Sequence, residues 1–170
     1  MESDIKAQAI YEKEMLLNNM NSIILSTVDD KNKPNASYAP AAIDENGDFI
    51  IYISSLSRHT LNLLVNSFSS IMIVEDESKT ENIFGRKRLT LDVSSKEVER
   101  DTDEWNEKIN LLENKFGETL TFLKGLTDFH LFKLAPSSGL LVHGFARAFV
   151  FSGEGLQDIS YLNDKGHSKK

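Results

Sequence analysis

Three stretches of the chain have the composition or the apolar spacing of helices. Residues 3–18 are rich in Ala, Glu, Lys and Leu. Residues 57–66 begin with the capping residue Ser57. Apolar side chains recur from this stretch to residue 68 at i, i+3, i+4 and i+7, which predicts one face buried in the core. A third stretch begins near residue 102 and is interrupted at Gly117. The apolar face predicted for residues 57–66 consists of Leu61, Leu64, Val65 and Phe68.

Segments rich in β-branched residues, separated by short turn signals, predict about seven strands. Asn46-Gly47 is typical of a hairpin turn. After residue 151 the chain is polar and contains glycine, which predicts a flexible arm with a short helical piece at residues 156–162. Antiparallel strands with a few helices predict an α+β domain built on a closed β-barrel. The predicted strands span residues 22–28, 35–43, 49–53, 70–74, 86–98, 129–134 and 140–151.

Length and charge narrow the class of protein. The chain has 170 residues, enough for one core, and we place the barrel domain at residues 1–151 and a C-terminal arm at residues 152–170. Its formal net charge of −7 argues against a nucleic-acid partner. The absence of cysteine excludes disulfides and thiolate sites. Since the sequence has no signal peptide and no apolar run long enough for a membrane span, we expect a cytoplasmic protein without a membrane partner.

The four histidines do not have the spacing of a zinc site. His59, His130, His143 and His167 form neither a His-x-x-x-His nor a His-Glu-x-x-His motif. The sequence also lacks a nucleophile elbow, a P-loop and a Gly-x-Gly-x-x-Gly fingerprint. His130 and His143 lie in apolar strands, where a histidine is more often a core or interface residue than a ligand. Zinc hydrolase, serine hydrolase and nucleotide-binding classes are therefore disfavoured.

Two basic clusters occur in this otherwise acidic chain. Arg58 and His59 lie at a predicted helix start, where free N–H groups attract anions, although the same pattern fits an ordinary helix cap. Arg86, Lys87 and Arg88 begin a predicted strand, with Arg86 and Arg88 on one face. Their guanidinium groups can clamp an anion, or the cluster can simply protect a sheet edge from aggregation. Together the clusters favour an anionic small ligand.

His167 lies close to the last residue, in the stretch Gly166-His167-Ser168. A histidine in such a position is ordinarily exposed and without function. An extended arm from Phe151 to His167 spans up to roughly 50 Å, so the histidine can also reach a neighbouring subunit.

Five segments occur together in the order and spacing of a known family, from about residue 21 to residue 167. They are SYAP (37–40), SRHTLNL (57–63), IFGRKRLTL (83–91), TDFHLFKLAP (127–136) and VHGFARAF (142–149). On these segments the chain resembles the HugZ/HutZ haem-utilisation group of the pyridoxamine-phosphate-oxidase-like, FMN-binding split-barrel superfamily.

The resemblance implies a homodimeric, six-stranded antiparallel split barrel with flanking helices. HutZ-like members bind haem in place of flavin and open its ring oxidatively to a biliverdin-like product, with release of iron. His167 matches their axial ligand of the haem iron, and Asp128 matches an aspartate that hydrogen-bonds this ligand. Arg88, with Arg86 as second choice, matches an arginine near the haem. The expected cofactor-binding residues are Arg58, His59, Arg86, Lys87 and Arg88.

Two other functions stay open at this point. The chain can be a haem storage or delivery protein without turnover. It can also be an FMN-dependent oxidoreductase, in which the two basic clusters hold the flavin phosphate and His167 has no role. Haem degradation requires O2 and an electron donor, which the sequence does not identify.

Overall fold

The centre of the protein is an antiparallel sheet, present in a computed structural model that describes residues 2–145 and 147–162. Its strands are β1 (Ser22–Val28), β2 (Pro34–Pro40), β3 (Ala42–Ile43), β4 (Phe49–Ser54), β5 (Phe68–Val74), β6 (Arg88–Val98), β7 (Phe129–Val142), β8 (Ala148–Ser152) and β9 (Asp158–Tyr161). Hydrogen-bonded neighbours follow the order β2-β1-β5-β6-β7-β4-β3, with β8 paired to β7 and β9 to β8. Because β2 and β4 lie near opposite ends of this order and still contact each other, the sheet is curled into a barrel.

The helices are α1 (Glu2–Asn19), α2 (Arg58–Val65), α3 (Asp103–Phe116) and α4 (Glu118–Lys124). All of the predicted helical stretches up to residue 125 are confirmed. Gly117 separates α3 from α4 with a φ of 64°, a conformation that glycine adopts without strain, which explains the interruption. Among the described residues, no helix has both the length and the apolar character that crossing a bilayer would require.

The described part of the chain contains nine strands, more than the pattern or the resemblance predicted. Residues 35–43 were predicted as one strand, but the structure divides them between β2 and β3. The predicted helical piece at residues 156–162 is wrong, because a short 3-10 turn is followed there by β9. Tyr161 of β9 lies with its ring 5.0 Å from that of Phe149, which helps to dock this strand on β8. Residues 163–170 lie outside the described residues.

Residues 129–134 and 140–151 were predicted as two strands, and the second prediction is wrong, because residues 140–142 end β7 and residues 148–151 belong to β8. Pro136 and Gly139 lie between the two predicted strands, and both residue types are unfavourable inside a strand. The structure instead has one strand of 14 residues. A register shift opposite Asp92 and Val93 pairs Val93 with Pro136, so the proline sits at a bulge. A Cβ at Gly139 would lie 2.8 Å from Leu91 Cδ2, so the glycine allows close packing across the sheet. Local propensity is thus overridden by pairing with β6.

The core has two parts on opposite sides of β4. Phe49, Ile51 and Ile53 face the barrel interior, whereas Ile50 and Tyr52 pack against α3. All five side chains are buried, which is why β4 is apolar throughout rather than alternating. The buried side chains of α3 that pack against β4 follow one another at i, i+4 and i+7, the spacing of one helix face. They are Trp105, Ile109 and Leu112.

The hairpin between β3 and β4 is fixed to α3 by a buried ion pair. Lys108 Nζ lies 2.9 Å from Asp44 Oδ2, and their side chains are 5% and 0% exposed. Asp44 Oδ1 also accepts hydrogen bonds from the backbone N–H groups of Asn46 and Asp48. Burial alone would raise the pKa of Asp44, but the Lys108 ammonium and these two N–H groups outweigh it and lower the pKa.

Replacing Asp44 by Asn should lower the free energy of unfolding by about 3 kcal/mol, because it leaves the buried Lys108 ammonium without its buried counter-charge. Denaturant unfolding at neutral pH measures this loss. The control is Glu107→Gln, which removes an exposed partner of the same ammonium and should cost less than about 1 kcal/mol. Since the folded pKa of Asp44 is lowered, its contribution is present above the unfolded pKa of about 4 and is lost as pH falls below it. Equal losses in the two variants would contradict this assignment.

Candidate functional site

Asp128 is held at the end of β4 by two hydrogen bonds. Ser54, the last residue of β4, donates its hydroxyl to Asp128 Oδ2 at 2.6 Å. The N–H of Ser55 donates to the Asp128 carbonyl at 2.8 Å. Asp128 directly precedes β7, and Phe129 pairs with Ser54 in the sheet. The carboxylate is therefore fixed at the point where the chain leaves the sheet and turns into α2.

The start of α2 belongs to the same part of the surface. Ser57 has the extended backbone of a capping residue, but its side chain makes no capping hydrogen bond. Thr60 instead donates its hydroxyl to the carbonyl of Ser54 at 2.6 Å, which ties the helix start to β4. Arg58 is exposed and His59 is half-buried. Burial lowers the pKa of His59, so its imidazole is neutral near pH 7 and Arg58 supplies the positive charge.

The second basic cluster is arranged differently from the prediction. Strand β6 begins only at Arg88, so Arg86 lies outside it and the expected shared strand face is wrong. Arg86 donates from Nε to the carbonyl of Glu75 at 2.7 Å and pairs with Glu77 at 2.8 Å. Arg88 donates one hydrogen bond, to the carbonyl of Arg86 at 2.9 Å. Within the described residues Arg88 has no carboxylate partner, so its charge is the more available of the two for an anion.

Lys87 links the barrel to α1. Its ammonium lies 2.8 Å from Glu12 Oε2, and Gln8 donates to the other oxygen of the same carboxylate at 2.9 Å. The hydrogen bond to Glu12 raises the pKa of Lys87. Burial would raise the pKa of Glu12, but the bonds from Lys87 and Gln8 outweigh it and lower the pKa. The Lys87 ammonium is thus already paired with a carboxylate of the same chain.

The two basic clusters lie at opposite ends of β7. Asp128 and the start of α2 are next to its first residue, Phe129, whereas Arg88 pairs with its last residue, Val142. The path along this strand is about 40 Å at 3.3 Å per residue. Grooves of about 660 and 580 Å³ flank α1, and Asp128, Arg58 and His59 line neither of them. The structure therefore groups Arg58 and His59 with Asp128, and Arg88 separately.

The apolar face predicted for α2 is exposed, which contradicts the expectation that it packs in the core. The inward face of the helix carries Thr60, Asn62 and Leu63, and Asn62 donates to Thr27 Oγ1 at 2.9 Å. The outward face of the helix is exposed, and we group it with the exposed apolar side chains just before and just after the helix as one strip. This α2 strip consists of Leu56, Leu61, Leu64, Val65 and Phe68. Several exposed large apolar side chains within one short segment are typical of a binding surface.

Two of the remaining histidines, His143 and His130, contact other side chains of the same chain. His143 is buried and stacks on Phe149 with ring centroids 5.3 Å apart, which confirms the prediction of a core histidine. His130 is partly exposed and lies 2.6 Å from a carboxylate oxygen of Glu97. His167 lies outside the described residues. Sequence reasoning missed Ser54 and Thr60, since the Ser54 partner Asp128 is 74 positions away along the chain.

Comparison with known families identifies the class of protein to which this curled barrel belongs. The family model of pyridoxamine 5'-phosphate oxidase matches residues 12–143, more than half of the chain. The chain belongs to the pyridoxamine 5'-phosphate oxidase-like family, within its HutZ-type group.

Individual relatives support this placement. The chain is 44% identical over 145 residues to the haem oxygenase HutZ of Vibrio cholerae, covering 85% of this chain and 81% of that protein. A crystal structure of V. cholerae HutZ, described as a haem storage protein, superposes with a TM-score of 0.71 at 40% identity, covering 74% of this chain and 88% of the other. The crystal structure of Campylobacter jejuni ChuZ superposes with a TM-score of 0.84 at 28% identity. That match covers 96% of this chain and 66% of ChuZ.

Proposed function

We propose that the protein binds haem beside Asp128 and opens the porphyrin ring oxidatively, with release of iron. The observation that carries the proposal is the Asp128 carboxylate, which Ser54 holds by Oδ2 alone. The described residues supply no donor to its other oxygen, Oδ1. A free, oriented carboxylate oxygen is what the second ring N–H of an iron-bound histidine requires. The 44% identity to a haem oxygenase supports the same conclusion.

The chemistry of the surface fits haem as a substrate. Haem has a large apolar body, which an apolar interface between two subunits can enclose, and two propionates, which match arginine side chains. Arg58 lies at the start of α2, and Arg88 is free of carboxylate partners within the described residues. Lys87 and Arg86 are already paired with Glu12 and Glu77, which makes them weaker candidates.

In the proposed mechanism the protein controls the iron through one histidine and one aspartate. Bound haem would supply the iron for oxidative chemistry with O2 and an external electron donor. His167 would hold the iron, and Asp128 Oδ1 would accept the other ring N–H, which would fix the tautomer and make the imidazole a stronger electron donor. Arg88 would hold an anionic group of the substrate and limit its motion. The remaining role of the fold is to keep water away from the apolar body of the haem.

We also propose that two chains assemble to complete the site. The α2 strip is exposed in one chain, and the two basic clusters lie at opposite ends of β7. A second copy would cover the strip and bring an Arg88 close to the Asp128 of its neighbour. This arrangement would enclose haem between two subunits and explain why α2 directs apolar side chains outward.

Replacing Phe68 by Asp should dissociate the dimer, because a carboxylate would be buried in an apolar interface. We expect the dissociation constant to rise about 100-fold, equivalent to about 2.7 kcal/mol, together with loss of haem binding. Sedimentation velocity measures the mass. The control is Phe122→Asp on α4, since Phe68 and Phe122 are 73% and 70% exposed in the single chain. A dimeric Phe68→Asp variant would contradict the proposed interface.

Titration of the apo-protein with hemin tests the proposed function directly. We expect a saturable Soret band, followed after addition of ascorbate in air by loss of the band and release of iron. Saturable binding without ring opening would favour storage, the role described for the V. cholerae HutZ crystal structure. A yellow protein that binds FMN and gives no Soret band would overturn the proposal in favour of a flavin enzyme.

A further inference from the structure

The hydroxyl of Ser54 has a single proton, which it donates to the carboxylate of Asp128. A carboxylate only accepts hydrogen bonds, so the 2.6 Å contact with Asp128 Oδ2 requires Ser54 to donate. The lone pairs of the same hydroxyl accept the N–H of Leu56 at 3.1 Å. Ser54 is therefore held from both sides, and its hydroxyl cannot rotate away without losing both bonds. This makes it a rigid support for one carboxylate oxygen.

The backbone that carries Asp128 is anchored independently of Ser54. Arg100 donates from Nη2 to the carbonyl of Leu126 at 2.7 Å and to the Tyr52 hydroxyl at 2.6 Å. Its Nη1 donates to the carbonyl of Lys124 at 3.1 Å, and its guanidinium lies over the Trp105 ring. The carbonyl of Asp128 itself accepts the N–H of Ser55 at 2.8 Å, so the remaining freedom of Asp128 is rotation of its side chain. Ser54 is the described side chain that restrains this rotation.

We infer that Ser54 is a positioning residue that aims Asp128 Oδ1 at the iron-bound histidine. The inference rests on the proposed function and adds to it the group that orients the carboxylate. Without the hydroxyl, the carboxylate can rotate, and its hydrogen bond to the imidazole weakens. Substitution of a group that orients a metal ligand typically costs 10–100-fold in metal affinity or activity.

Ser54→Ala should therefore bind hemin with a dissociation constant within about 3-fold of the wild type, while ring opening slows at least about 10-fold. The resonance Raman iron–histidine stretch of the ferrous protein should move to lower frequency, which a purely structural role would not cause. Ser138→Ala is the matched control, because Ser138 Oγ also donates to an aspartate, Asp92 Oδ2, at 2.8 Å. This control should keep both the rate and the stretch of the wild type.

A pair of isosteric variants separates the hydroxyl from packing. Ser54→Thr keeps the donor and should restore the wild-type stretch and rate, whereas Ser54→Val has the same shape without the donor and should match Ser54→Ala. This comparison also holds if the alanine variant folds poorly. A wild-type stretch in both Ser54→Ala and Ser54→Val, with a shifted stretch in Asp128→Asn, would overturn the role of Ser54 and leave the proposed function standing. Absence of a Soret band in the wild type would overturn both.

Discussion

Replacing His167 by alanine should weaken hemin binding at least about 10-fold and change the ferric absorption spectrum, because the iron loses its protein ligand. Hemin titration followed by absorbance measures both effects. Added imidazole should restore the wild-type Soret position, since it can occupy the space left by the side chain. This rescue separates loss of the ligand from loss of the fold.

His130→Ala is the control for that experiment. His130 is a partly exposed histidine two residues after Asp128, and its ring is paired with Glu97, so the variant shows whether removing a different histidine near Asp128 has the same effect. We expect it to bind hemin like the wild type. If His167→Ala instead shows an unchanged affinity and spectrum, His167 is not the iron ligand, and the ligand must be sought among the other histidines.

The substitution Asp128→Asn should leave hemin binding within a few-fold of the wild type and slow ring opening about 100-fold. Asparagine has nearly the same shape and can still accept the Ser54 hydroxyl, so the surrounding hydrogen bonds persist. It has no negative charge, so it donates less electron density through the imidazole to the iron. Single-turnover kinetics with ascorbate, monitored at the Soret band, measures the rate separately from binding.

Asp92→Asn is the matched control for Asp128→Asn. Asp92 also receives a serine hydroxyl, that of Ser138, but it lies in β6 at the bulge with β7 rather than beside α2. We expect turnover at the wild-type rate. Full activity of Asp128→Asn would remove the electronic role proposed for this carboxylate, whereas loss of hemin binding in Asp128→Asn would assign it a role in holding the substrate.

The elements that were predicted correctly have strong local signals. α3 carries an apolar stripe at helical spacing and ends at a glycine with positive φ, so its sequence alone favours the observed helix. β1 matches its predicted bounds because β-branched residues are followed directly by a turn signal. Leu89, Leu91 and Val93 alternate along β6 and are buried, as a half-buried strand requires. In these segments local preference and tertiary packing agree.

The errors occurred where partners distant in sequence decide the structure. The continuity of β7 depends on a bulge opposite β6, which relieves the effect of Pro136. The separation of Arg86 from Arg88 depends on contacts with Glu75 and Glu77, which draw Arg86 out of the strand. Neither influence is visible within a short window of sequence.

The family, the α+β class and the identities of the candidate residues follow from the sequence, because motifs such as SRHTLNL and IFGRKRLTL keep their order and chemical character along the chain. The sequence does not determine whether the apolar face of a helix points into the core or toward the solvent. Helical spacing shows that Leu61, Leu64, Val65 and Phe68 share one side of α2, but the same spacing fits a core and an interface equally well. Folding places Asn62 against Thr27 on the inner side, and the apolar side is left facing outward. The link between Ser54 and Asp128 likewise arises only when β4 pairs with β7, since hydrogen bonds depend on proximity in space rather than along the chain.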